Sequence, residues 1–164
     1  MRTLRGALLV VCIALATPAG SQTTVRPLDF FQGTTVSEGT LRVVLKDPVR
    51  TRSVSRGSLD PNGTLVLVQR VEDEGEPPRD RHWRIRQTGP RTYSGTMSEA
   101  TGPVSVEQVG ARYRFRFKMK GNLSVEQWLA PQADGRTASS TISVRKFGMV
   151  VATSQATIRK VAGA

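Results

Sequence analysis

The sequence predicts an all-β fold, an antiparallel meander of about eight to ten short strands that closes into a barrel behind a short helical turn. Three observations predict it. Segments that alternate apolar with charged or polar side chains recur along the chain. Turn signals rich in Gly, Pro, Asn and Asp separate them roughly every ten residues. No long stretch carries apolar residues at helical spacing.

The first element is read as a leader rather than as part of the fold. Arg2 and Arg5 precede an unbroken apolar run from Ala7 to Ala16, followed by Thr17-Pro18-Ala19-Gly20-Ser21. A positive start, an apolar middle and a small-residue end make a secretory signal peptide. The run is shorter than the roughly 20 residues that a spanning helix needs. We therefore expect residues 1–21 to be removed, leaving a single β-barrel domain over 22–164 in the periplasm of a Gram-negative bacterium. The single cysteine, Cys12, lies inside the apolar run behind Val11, where a lipid-attachment signal would have a small residue. The exported domain then has no thiol, so disulfides, cysteine metal sites and thiol nucleophiles are excluded.

Next, Val25-Arg26-Pro27-Leu28-Asp29-Phe30-Phe31-Gln32-Gly33 reads as one short helical turn stopped by glycine, with apolar side chains positioned to plug or cover something. Strand patterns take over from there. Leu41, Val43 and Leu45 share one parity, against Arg42 and Lys46. Asp60-Pro61-Asn62-Gly63 marks a turn, and the acidic stretch 72–81 reads as a mobile, exposed hairpin tip. Trp83 and Ile85 alternate with His82, Arg84 and Arg86. Tyr93 and Met97 share a face, as do Val104 and Val106.

The clearest strand is residues 112–120. Tyr113, Phe115, Phe117 and Met119 occupy one parity, and Arg112, Arg114, Arg116, Lys118 and Lys120 the other. A period of two puts all the rings on one face and all the cations on the opposite one. Ile142 and Val144 repeat the pattern, and Val150, Ala152, Ala156 and Ile158 form a last face. Strands with one apolar parity need a shared core. Closure into a barrel supplies it and removes sticky edges, with a two-sheet sandwich as the alternative.

Several segments together resemble a family of bacterial envelope proteins known as domain of unknown function 3833. They are Leu28–Gly33, Trp83-Arg84-Ile85, Gly89–Gly95, Thr101-Gly102-Pro103, Glu126-Gln127-Trp128-Leu129 and Lys146–Val150. The resemblance covers residues 27–160 or so. It implies an envelope location and a lipocalin-like barrel, and brings no catalytic residue or cofactor. Glu126-Gln127 departs from the acidic pair expected before the tryptophan.

The chemistry is read by elimination. His82 is the only histidine, and no glycine-rich phosphate loop or nucleophile elbow is present. We expect neither an enzyme nor a metal or cofactor site. The net charge is +11. In an exported protein it points to anionic lipid or envelope polymer rather than nucleic acid. Trp83, Tyr113, Phe115, Phe117 and Met119 are candidates for lining a cavity. Glu126 and Trp128 join them if their parity turns inward, and face water if Val125, Gln127 and Leu129 do. The leading expectation is a non-catalytic binder of a lipid or other amphipathic molecule. The alternative is an interaction protein that presents the stripe Arg112, Arg114, Arg116, Lys118 and Lys120 to anionic envelope components.

Overall fold

Alternation decides which side of each strand faces inward, and ten strands obey it. The computed structural model describes residues 27–161. The leader read over residues 1–21 lies outside the described residues. One turn of helix, α1 (Pro27–Phe30), precedes β1 (Gly33–Val43), β2 (Val49–Leu59), β3 (Leu65–Asp73), β4 (Arg79–Gly89) and β5 (Thr92–Met97). There follow β6 (Val104–Val109), β7 (Arg112–Met119), β8 (Leu123–Pro131), β9 (Thr137–Lys146) and β10 (Met149–Lys160). Each strand pairs antiparallel with its sequence neighbours, and β1 pairs β10 from Thr35↔Lys160 to Val43↔Ala152. That last ladder closes the barrel and excludes the sandwich.

The meander gives the barrel two unlike ends. The turns at 60–64, 90–91, 110–111 and 132–136 lie at the end where β1 starts. There α1 fills the opening. Leu28 and Phe30 join a buried cluster with Tyr93, Val104, Val106, Tyr113, Leu129, Ala138 and Ile158. Phe30 is fully buried, and its ring meets Phe31 edge-on at 5.2 Å. Burying such a ring contributes roughly 1.5–3 kcal/mol. The Lys160 ammonium donates to the Asp29 carbonyl at 3.0 Å, and the Val161 N–H donates to the Thr34 carbonyl at 2.9 Å. Gly57 lets β2 pass under this segment, because a Cβ there would collide with the Phe31 carbonyl oxygen. The apolar entry turn is thus the plug that its composition predicts.

The opposite end carries the turns 44–48, 74–78, 98–103, 120–122 and 147–148 and forms the mouth. Three expectations change there. Only 74–78 of the acidic stretch is loop: β3 runs on to Asp73 and β4 starts at Arg79, because those two residues are paired with each other inside the rim. Leu45 does not extend the Leu41 face. The strand ends at Val43, and Leu45 sits fully exposed at φ +64°. Val150 also leaves its expected face. A bulge shifts the register so that Val150 opposes outward Arg145 and Ala152 opposes inward Val144.

Candidate functional site

The barrel is hollow because one of its walls is built from small side chains. The inward parity of β1 carries Thr35, Ser37 and Gly39, and that of β2 carries Thr51, Ser53, Ser55 and Gly57. Ser140 on β9 and Ser154 and Ala156 on β10 continue the same wall. The facing wall is bulky: Leu65 and Leu67 on β3, Trp83 and Ile85 on β4, Phe115 and Phe117 on β7. Small residues cannot reach across a ten-strand circumference to meet these groups. A cavity of about 210 Å³ remains, with Phe31 in its lining and the mouth open above. A dry apolar void of ~150 Å³ holds a benzene-sized ring. This cavity therefore suits one ring system or one chain, and not a two-chained lipid.

Its lining is amphipathic. On the apolar side, Trp83 and Phe117 meet edge to face with centroids 5.7 Å apart. On the polar side, the Trp83 indole N–H donates to the Gln69 side-chain oxygen at 3.2 Å. The Gln69 amide donates in turn to the Ser53 hydroxyl at 3.1 Å. Gln127 donates to Ser140 at 2.9 Å. These bonds satisfy the larger buried polar groups, which are expensive to leave unpaired.

The mouth is crossed by a charge-balanced chain of ion pairs. Arg79 contacts Asp73 at 2.7 Å and Glu99 at 3.5 Å, and Arg81 contacts Glu99 at 2.9 Å. Both arginines line the cavity, sharing the inward parity of Trp83 and Ile85. Burial works to raise the Asp73 pKa, but it is outweighed by hydrogen bonds from Thr51 and Arg79 and by the charges of Arg79 and Arg81. The carboxyl is held below its ordinary value of 3.8. It stays ionised at neutral pH.

The aromatic candidates divide. Trp83, Phe115, Phe117 and Met119 line the cavity. Tyr113 does not. It is fully buried in the closed-end packing, 6.3 Å from the ring of Tyr93. Glu126 and Trp128 are also corrected, because β8 takes the other parity. Val125 and Gln127 line the cavity, while Trp128 lies outside, opposite Arg114 on β7. There its indole N–H donates to Glu126 at 3.3 Å, and the Arg112 and Arg114 guanidiniums lie 4.5 and 5.5 Å from its ring centre.

The outer stripe is thereby partly neutralised. Glu107 pairs with Arg114 at 2.7 Å and reaches Arg116 at 4.0 Å. The hydrogen bond from Arg114, and then its charge, hold the Glu107 carboxyl below its usual value. Among the described residues, Lys118 and Lys120 enter no ion pair of the wall. His82 is exposed on the outside of β4.

The family described as "Protein of unknown function (DUF3833)" matches residues 7–160. The chain belongs to this family. No curated protein matches the sequence. Among solved structures, the chain is similar to the S-type phycobiliprotein lyase CPES from Guillardia theta. Identity there is 10%, with 84% of this chain and 92% of that one covered at a TM-score of 0.62. Rv2717c from M. tuberculosis aligns at 11% identity over 85% of this chain and 98% of its own, with a TM-score of 0.64. A protein of unknown function from the DUF3598 family of Nostoc punctiforme aligns at 12% identity and a TM-score of 0.59, over 84% of this chain and 50% of that chain. Identities this low carry the fold: a lipocalin-like barrel.

Two parts of the site were missed in the sequence, and only one of them lies beyond a reading based on apolar alternation. The Ser/Thr wall of β1 and β2 has no apolar parity to detect. The mouth arginines were detectable, because Arg79, Arg81, Trp83 and Ile85 share a parity.

Proposed function

We propose that this DUF3833 protein is a non-catalytic binder of an apolar or amphipathic small molecule, of the single-chain lipid class, held in the barrel cavity. The observation that carries the reading is the two-walled interior. A bulky aromatic and aliphatic wall faces a wall of hydroxyls across about 210 Å³ of space open at one end. Such a cavity, concave and mostly apolar with a few placed polar groups, is the usual form of a small-molecule site. Charge balance at the mouth favours a head group that is neutral or zwitterionic. A free carboxylate would have to displace Asp73 or Glu99 from Arg79 and Arg81.

The reading as a binder rather than a catalyst rests on the inward polar groups. They are hydroxyls and amides, and the ionisable ones at the mouth are tied to one another. The compartment belongs to the proposal as well: with the leader read at residues 1–21, the domain works in the periplasm.

Displacement of the neutral probe N-phenyl-naphthylamine by extracted bacterial lipids tests the function. The wild type should bind the probe saturably. Ser37→Leu/Ser154→Leu, which fills the small-residue wall, should lose at least tenfold in affinity while keeping the β-sheet spectrum. Equal probe binding by the filled variant would count against a cavity ligand.

A further inference from the structure

The mouth has an apolar crest that its own backbone disfavours. Leu45 is fully exposed at φ +64°, and Phe147 is largely exposed at φ +50°. Bulky L-residues rarely occupy this left-handed region, whereas Asn and Gly do so readily. Phe147-Gly148 is the two-residue turn between β9 and β10, since Met149 pairs with Lys146. In such turns the first position is usually Asn or Asp. Met149, Val150 and Val44 are exposed beside them. The two tips are neighbours, because the Val44 N–H donates to the Val151 carbonyl at 3.0 Å. Solubility does not explain oily side chains at these positions, and the one stabilising contact of Phe147, the Lys146 ammonium 5.8 Å from its ring, does no more than offset the backbone cost there.

Cations lie directly beneath this crest. Strand register puts Lys118, Ser124, Arg145 and Val150 in one outward row across β7, β8, β9 and β10. Arg145 is two residues below Phe147, about 7 Å along the strand. Lys46, Lys120 and Lys146 stand at the tips themselves. Among the described residues, no ion pair of the wall involves these cations. The acidic tip between β3 and β4, with Glu74 and Glu76, flanks the crest on its β2 side, where the Glu74 N–H donates to the Arg50 carbonyl at 2.9 Å and its carboxylate accepts from the Arg50 N–H at 3.2 Å, so the cationic face is the one that runs from the crest over β10, β9, β8 and β7.

We propose that this side of the mouth docks on an anionic bilayer, with Leu45, Phe147 and Met149 entering the acyl boundary and the lysine–arginine row meeting lipid phosphates. The spacing fits, since apolar groups of peripheral proteins sit roughly 5–10 Å into that boundary, next to basic residues. Charge selects the partner. A second copy of the chain would set one cationic rim against another. A soluble anionic polymer would leave the apolar tips in water. The proposal goes beyond the cavity reading and does not depend on what the cavity holds.

Vesicle flotation tests it, with the full domain and two vesicle types: phosphatidylcholine alone, and phosphatidylcholine with an equal part of phosphatidylglycerol. The protein should float with the mixed vesicles and not with the neutral ones. Lys46→Gln/Lys146→Gln should weaken binding by roughly tenfold or more, each cation near the surface contributing a few-fold. Leu45→Asn/Phe147→Asn should also lose binding, while its turns fold at least as well as before. Both variants should keep wild-type probe affinity in the cavity, and Ser37→Leu/Ser154→Leu should keep wild-type flotation. Equal flotation with neutral vesicles would overturn the proposal, as would wild-type flotation by the Leu45/Phe147 variant. Binding dextran sulfate as tightly as vesicles, or dimerising through the tips without binding vesicles, would overturn it too.

Discussion

The Trp83 indole N–H donates to Gln69 at 3.2 Å, and Gln69 is itself tied to Ser53. This joins the bulky wall of the cavity to its hydroxyl wall. Replacing Gln69 with Leu leaves a buried indole N–H without its acceptor. The expected loss is about 1–3 kcal/mol. Urea melts should show the earlier midpoint, and probe affinity should change because Trp83 loses its fixed orientation. An unchanged midpoint would mean that solvent replaces Gln69.

At the closed end, Phe30→Ala removes a fully buried ring from the plug. A loss of about 3–5 kcal/mol is expected for such a truncation. Gly57→Val should act on the same plug from β2, because its side chain meets the Phe31 carbonyl. Thermal melts of both variants, with hydrogen exchange at residues 33–36, check that α1 and the start of β1 are loosened together.

At the mouth, Asp73 has a folded-state pKa held below 3.8. A carboxyl depressed in the folded state adds stability above its unfolded pKa, and that stability is lost as pH falls through the folded value. Stability should therefore be flat from neutral pH down to about 5 and then decline below about 4. Asp73→Asn should remove part of that acid dependence and leave Arg79 with Glu99 as its one carboxylate partner. An identical acid profile in the variant would show that Asp73 does not hold the rim.

The mouth tips should trade stability for contact with a surface. Leu45→Asn/Phe147→Asn relieves two bulky residues in the left-handed region, each worth about 1 kcal/mol. The double variant is expected to melt at a higher temperature than the wild type. Scanning calorimetry reads this directly, and a lower melting temperature would mean that the two side chains stabilise the tips.

Much of this architecture was legible in the residue order. The Tyr113–Met119 parity, the Trp83–Ile85 pair and the Leu28–Phe31 plug all stand as their spacing predicts, because each places large apolar groups on one face. β2 was invisible for the opposite reason. Its inward residues Thr51, Ser53 and Ser55 contrast too little with outward Arg50, Arg52 and Val54 for any periodicity to register. The cavity exists at that wall, so what made the strand hard to read also made the barrel hollow. Glu126 and Trp128 were open to either parity on sequence alone. The ladder with β7 settles them, setting Trp128 beside Arg114 and outside the barrel.

Native mass spectrometry of the protein purified without detergent, set beside Ser37→Leu/Ser154→Leu, tests the hollow barrel most directly. The account predicts a bound small molecule on the wild type, exchangeable with added single-chain lipid and absent from the filled variant. A wild type that stays bare through lipid exposure, or a filled variant carrying the same adduct, would contradict it.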